Sequence, residues 1–430
     1  MNPTMPAEKF DMSIPPVRQR WFLRPLTWFG SLPDVWLHHL KINRSQVETL
    51  KPPYLLLCTH MAFIDFKVTT AAIFPHRANY VVAIDGFIGR EWLLRNVGAI
   101  CKRKFTNDLT MIKHIRQVIR NGDILALYPE ARYSQIGTTA VLPDSLGKLV
   151  RLLKVPVAVL NMHGNYLQSP CWNLSRRKVP LEADFSRILT AEEAAALPVA
   201  QINQRIRDAM AYDEYAWQKK NKIRIEHPEN ARGLHKILYQ CPSCLTEFAM
   251  DSAGTQLWCG HCGKRWDLLP TGELAATSGP TEFPHPPDWY EFERGQVRKQ
   301  IEDGTYCVAD EVDVDSLPNA KGYVNLGHGR LVHDGAGFVL DVGGENPFKL
   351  VKTPASLYSC HVEYNYDKRG DCIDLSTLDD TYYIYPLHLK NCVTKIALAT
   401  EELYRHELGK ASHIDPVTVL PDHPAPGGLR

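Results

Sequence analysis

The sequence predicts an α/β domain with a largely parallel sheet flanked by helices, followed by a small cysteine-stapled module and a small β-barrel-like domain capped by a helix. Three observations carry this reading. Between residue 46 and about residue 225, short fully apolar runs alternate with helical patterns, and a run that is apolar on both faces fits a buried parallel strand. Cys241, Cys244, Cys259 and Cys262 form two pairs, each with two residues inside it. Beyond Pro287 come short alternating strands punctuated by turns, and the last pattern, at residues 395–408, is helical.

In chain order, residues 1–45 form an arm whose first 16 residues are expected to be frayed. Trp21, Phe22, Trp28, Phe29 and Trp36 interleave there with Arg18, Arg20, Arg24, Lys41 and Arg44, and Pro25 and Pro33 should break the arm into short pieces. Aromatics flanked by cations suit a lipid headgroup boundary. They would equally suit an arm packed on the next domain, and both readings stand. The α/β domain takes residues 46–232. Residues 54–58 read as a buried strand and residues 62–74 as a helix. Residues 106–121 carry an apolar stripe of Leu109, Ile112, Ile115, Val118 and Ile119, with Thr106 as cap and Gly122 as stop. Helix-favouring sequence from 192 to 220 closes the domain. The cysteine module takes 236–270, a linker rich in Thr, Gly and Pro 271–288, the β domain 289–412, and a tail expected to be disordered 413–430.

Composition excludes some functions. A chain of 430 residues holds two or three domains. Its 49 basic and 48 acidic residues, net charge +1, argue against a dedicated nucleic-acid binder. No run reaches the ~18 apolar residues of a spanning helix, and there is no signal-peptide pattern, so a cytoplasmic protein is expected. Of the 11 cysteines, those outside the pairs are scattered, as in a reducing compartment.

His60 and Asp65 are the candidate catalytic pair. On one continuous helix, residues five apart diverge by roughly 140° around the axis. The strand-then-helix reading instead places His60 in the turn, where Asp65 from the helix can hold its imidazole tautomer. A base so oriented can deprotonate an alcohol. The four paired cysteines have the spacing of a closed, structural zinc site, similar to a rubredoxin-like zinc ribbon.

Four segments resemble, in order, the blocks of the glycerolipid acyltransferases, the family of the lysophosphatidate acyltransferases. His60 and Asp65 match the His-x-x-x-x-Asp signature. Gly98-Ala-Ile-Cys-Lys-Arg103 looks like the second block, whose arginine binds acceptor phosphate, and this implies that role for Arg103. Tyr128-Pro-Glu-Ala-Arg-Tyr-Ser134 looks like Phe-Pro-Glu-Gly-Thr-Arg-Ser, with its arginine, Arg132, one place early. Glu130 there would accept from the acceptor's hydroxyl or brace the turn. Lys154-Val-Pro-Val-Ala-Val-Leu-Asn161 looks like the fourth. The resemblance implies transfer of an acyl group from acyl-CoA or acyl-carrier protein to a glycerol-phosphate-type lipid at the cytoplasmic face of a membrane, with no catalytic metal. The rival reading is a non-catalytic binding or regulatory protein on a degenerate acyltransferase fold. Hydrolysis is a third option.

Overall fold

The computed structural model describes residues 8–344 and 347–411. The expected disordered tail lies outside them. Seven strands form the first sheet: β1 (Lys41–Ser45), β2 (Leu55–Cys58), β3 (Ala78–Ala83), β4 (Ile100–Lys102), β5 (Ile124–Leu127), β6 (Val157–His163) and β7 (Glu182–Leu189), in the spatial order β1-β7-β6-β2-β5-β3-β4. From β6 to β4 all neighbours are parallel, whereas β7 runs antiparallel to β6 and pairs with β1 in parallel.

The apolar runs fill both faces of this sheet, which is why they do not alternate. Leu56, Cys58, Ala126 and Leu160 pack on one face with Val68 and Ala72. Leu55, Leu57, Leu125 and Val159 pack on the other with Ile115, Val118 and Val150. The helices α2 (Asp65–Ile73), α4 (Leu109–Arg120) and α5 (Ser145–Leu153) supply these partners, α1 (Arg24–Leu37) adds Val35 to the first face, and α3 (Glu91–Asn96) joins β3 to β4.

Two local expectations need correction. Asp108, not Thr106, caps α4, accepting from the backbone N–H groups of Thr110 and Met111, because its side chain stands next to the first helical residue. Pro25 and Pro33 do not split the arm. Pro25 lies in the first turn of α1, where no intrahelical donor is needed, and Pro33 is carried inside the helix.

Four antiparallel strands between Met250 and Ala276 carry the cysteine module. A seven-stranded antiparallel sheet follows, from Cys307–Ser316 to Thr381–Pro386, capped by the helix Val393–Ala411. The turn foreseen at Asp334-Gly-Ala-Gly337 pairs Asp334 with Gly337.

Residues 271–288 are not a free linker. Leu274–Ala276 is the fourth strand of the cysteine module, with Leu274 opposite Leu268, and Pro286 opens a helix that runs to Glu302. Proline suits that position for the reason it suits the first turn of α1. One hydrophobic cluster joins Trp266 of the module, Trp289 and Val297 of this helix, Ile396 of the last helix, and Tyr166 and Trp172 of the α/β domain.

Candidate active site

His60 follows the end of β2, and residues 128–134 follow the adjacent β5, so both emerge at the carboxyl end of the parallel strands, where open α/β sheets bind ligands. The two loops are tied together. Ser134 N–H donates to His60 O at 2.8 Å, and His60 N–H donates to Glu130 Oε1 at 3.0 Å.

Asp65, at the start of α2, turns its carboxylate back to the His60 loop. Oδ2 accepts from Met61 N at 2.6 Å and Ala62 N at 3.0 Å, and lies 3.0 Å from His60 Nδ1. Oδ1 accepts from Asn165 Nδ2 at 2.8 Å. With this many donors on one buried carboxylate, Nδ1 carries the proton and donates, which leaves Nε2 as an acceptor. The rings of Tyr128 and Tyr133 each lie with centroids 4.4 Å from that of His60 and fix its plane.

His60 lines a cavity of about 1280 Å³, larger than the ~300–1,000 Å³ usual for small-ligand pockets. Its walls come from α1 to α5, the ends of β3, β4 and β5, and the C-terminal region, which contributes Tyr358, His361 and Glu363.

Of the three candidate substrate-binding residues only Arg132 lines the cavity, and Glu130 takes the bracing role. Glu130 is fully buried and does not line the cavity. It accepts from His60 N, Ala140 N and Tyr212 OH, and so braces the turn. Burial, only partly offset by these donors, pushes its carboxyl up to about 7. Arg103 is also turned away from the cavity, with Nη1 donating to Leu317 O at 2.9 Å and Thr381 Oγ1 at 3.0 Å, and Nη2 to Pro318 O at 2.9 Å. Residues alternate in direction at a strand end, so Lys102 and Lys104, not Arg103, face the cavity. Arg132 does line it, yet its Nη2 is 2.6 Å from Glu401 Oε1, in a buried ion-pair network with Arg294 and Glu402.

Strand alternation already sets Lys102 and Lys104 on the face opposite Arg103, where the sequence gives them only the role of raising local potential, and the C-terminal residues were missed. No local signal joins residue 104 to residues 361 and 374.

Gly98 and Ala131 show what the second and third blocks need locally. Gly98 has φ +82°, and a Cβ there would meet Val17 O at 2.3 Å. Ala131 has φ +57°, a left-handed conformation that favours glycine.

The sulfurs of Cys241, Cys244, Cys259 and Cys262 all lie within 4.8 Å of one another. Cys241 and Cys262 are 3.8 Å apart, as are Cys244 and Cys259. A tetrahedral ion with metal–sulfur bonds of about 2.3 Å sets its ligands about 3.8 Å apart, so this group can hold a structural metal ion.

Residues 39–162 match the family model described as Acyltransferase. A similar solved structure is the 1-acyl-sn-glycerophosphate (LPA) acyltransferase PlsC from Thermotoga maritima, 10% identical, with a TM-score of 0.36, over 44% of this chain and 77% of that one. No curated protein matches the chain.

Proposed function

From an acyltransferase-family domain at residues 39–162, we propose that the chain is an O-acyltransferase that moves an acyl group from a thioester donor to a hydroxyl of a glycerolipid-type acceptor. The observation that carries this is His60, oriented by Asp65 at 3.0 Å in the wall of a cavity large enough for a lipid. His60 Nε2 takes the proton of the acceptor hydroxyl as its oxygen attacks the thioester carbonyl carbon. Asp65 stabilises the imidazolium. The carbon–sulfur bond then breaks, and the departing thiolate recovers the proton from His60. Acyl-CoA and acyl-carrier protein both supply the thioester this chemistry needs. Lys102 and Lys104 are the cations that the second block turns to the cavity.

The same reading places the protein peripherally on a phospholipid membrane. No helix among the described residues is long and apolar enough to cross one. Trp21, Phe22, Leu26, Phe29, Trp36 and Leu37 are exposed on the arm, although Leu23 and Val35 beside them are buried against the domain. Both readings of the arm therefore have residues in their support. Phe63 and Leu109, also exposed, extend the apolar surface to the cavity. Co-sedimentation with anionic vesicles should fall when residues 18–44 are removed, and equal binding would move the membrane contact elsewhere. The cysteine site is assigned to one structural zinc ion, a role that suits four thiolates with no open position.

Acyl transfer is tested by incubating the purified protein with radiolabelled acyl-CoA and acyl-carrier-protein donors and a panel of hydroxyl lipids. Labelled product is expected. Absence of product with both donors, with phospholipid or partner binding retained in the His60→Ala variant, would favour the binding-protein reading.

A further inference from the structure

The charge pattern of the cavity wall bears on which acceptor the site takes, a question that rests on the acyl-transfer reading. Arg103 points away from the cavity and is bonded to Leu317, Pro318 and Thr381, and the charge of Arg132 is met by Glu401. Tyr133 stands where the resembled motif has its arginine, with its ring on His60.

Lys104 faces the cavity but is already compensated. Its Nζ is 3.3 Å from Asp85 Oδ2 and 3.1 Å from Asp374 Oδ2, and His361 Nδ1 lies 3.1 Å away. These neighbours hold its ammonium protonated, well above the ordinary lysine range. Lys102 turns its Nζ to Thr106 Oγ1 at 3.0 Å.

On this patch the carboxyl groups outnumber the cations, although Arg77, Arg90, Lys102 and Lys148 also line the cavity. Asp85, Glu363 and Asp374 face Lys104 and His361, three carboxyl groups against one ammonium and one imidazole, and burial raises the Glu363 carboxyl above its ordinary range. Glu363 lines the cavity, and its nearest ionic partner, His361 Nε2, is 3.6 Å away, beyond a hydrogen bond. Asp85 lines the same wall. A phosphate monoester, which is largely a dianion at neutral pH, would enter against this charge. A cationic group would be drawn to it, and two carboxylates with spare lone pairs can accept from its N–H donors.

We infer that the acceptor is a hydroxyl lipid with an ammonium-bearing headgroup, held at the C-terminal wall by Glu363 and Asp85, rather than a phosphate monoester. The C-terminal β region thereby acts in substrate selection. It turns Arg103 away from the cavity and supplies Glu363 and His361, while Glu401 of the last helix pairs with Arg132.

The test compares 1-acyl-glycerophosphoethanolamine with 1-acyl-glycerol-3-phosphate of the same chain length, each with both thioester donors, in the full-length wild type and in Glu363→Gln. The wild type should prefer the ammonium lipid in kcat/KM by tenfold or more. Glu363→Gln should cut that preference about ten- to a hundredfold, chiefly through KM of the ammonium lipid, as loss of a charge-assisted hydrogen bond does. Preference for the phosphate monoester, abolished in Lys102→Gln, would overturn the inference and move anion recognition to Lys102, with acyl transfer intact. An equal fall for both lipids in Glu363→Gln would also overturn it, since a merely structural role predicts that. No product from either lipid with either donor would overturn the acyl-transfer reading and the inference with it.

Discussion

The His60–Asp65 turn and the two arginines near it are built in opposite ways. Most of what holds Asp65 comes from within five residues, namely His60 Nδ1 and the backbone N–H groups of Met61 and Ala62. Arg103 instead meets Leu317, 214 residues on, and Arg132 meets Glu401, 269 residues on. A motif closed by its own chain neighbours keeps its geometry whatever is appended to the domain. A lone charged side chain takes its role from whichever partner the tertiary fold brings, and here the C-terminal region brings carbonyls and a carboxylate.

Several changes should break or sharpen this contrast, and the largest effect is expected at the other locally closed motif. Cys259→Ser should lose the metal and unfold the cysteine module, since structural zinc supplies folding free energy outright. Elemental analysis should find one zinc in the wild type and little in the variant. Asp65→Asn should lower turnover by about 10²–10⁴-fold, by allowing the wrong imidazole tautomer and weakening the imidazolium. A pre-steady-state transfer rate measures it, and an unchanged rate would detach the dyad from the chemistry.

Arg132→Ala should cost about 3–5 kcal/mol in urea unfolding, because it removes one partner from a buried ion pair. A raised acceptor KM with unaltered stability would instead make Arg132 a substrate ligand. Arg132 and Arg294 hold the Glu401 carboxyl down from 4.5 to about 2. A depressed carboxyl contributes stability above the unfolded value, here 4.5, and loses it as pH falls through about 2. The gap between wild type and Glu401→Gln should therefore narrow by about 3 kcal/mol between pH 6 and pH 2. The smallest expected effect is at Ala131, at φ +57°. Ala131→Gly should gain up to about 1 kcal/mol, the relief of left-handed strain less the entropy glycine adds to the unfolded chain.

What was legible in the sequence follows the same division. Buried parallel strands announce themselves as apolar runs, so residues 54–58 and the strand-to-helix turn at His60 could be placed by eye. The paired cysteines report their own geometry. The second block was misjudged at Arg103 because its resemblance to a phosphate-binding arginine outweighed the alternation that sends Lys102 and Lys104 to the cavity. For Glu130 the sequence left ligand and brace open, and the brace holds because Ala140 and Tyr212, which lie outside the motif, donate to its buried carboxyl. The stretch 271–288 looked like a linker by composition. Its prolines open a helix and its Leu274 completes a sheet, and both depend on packing partners far along the chain.

The most direct test of the division of labour measures two properties on two variants. Acyl-transfer rate and urea midpoint should be determined side by side for His60→Ala and Arg103→Ala. The account predicts a rate loss of about 10²–10⁴-fold at nearly unchanged midpoint for His60→Ala. For Arg103→Ala it predicts a stability loss of about 1–3 kcal/mol, from the acceptors left unpaired at Leu317, Pro318 and Thr381, with the acceptor KM of the folded protein little changed. A stable Arg103→Ala protein with a strongly raised acceptor KM, or a His60→Ala protein with full transfer activity, would contradict it.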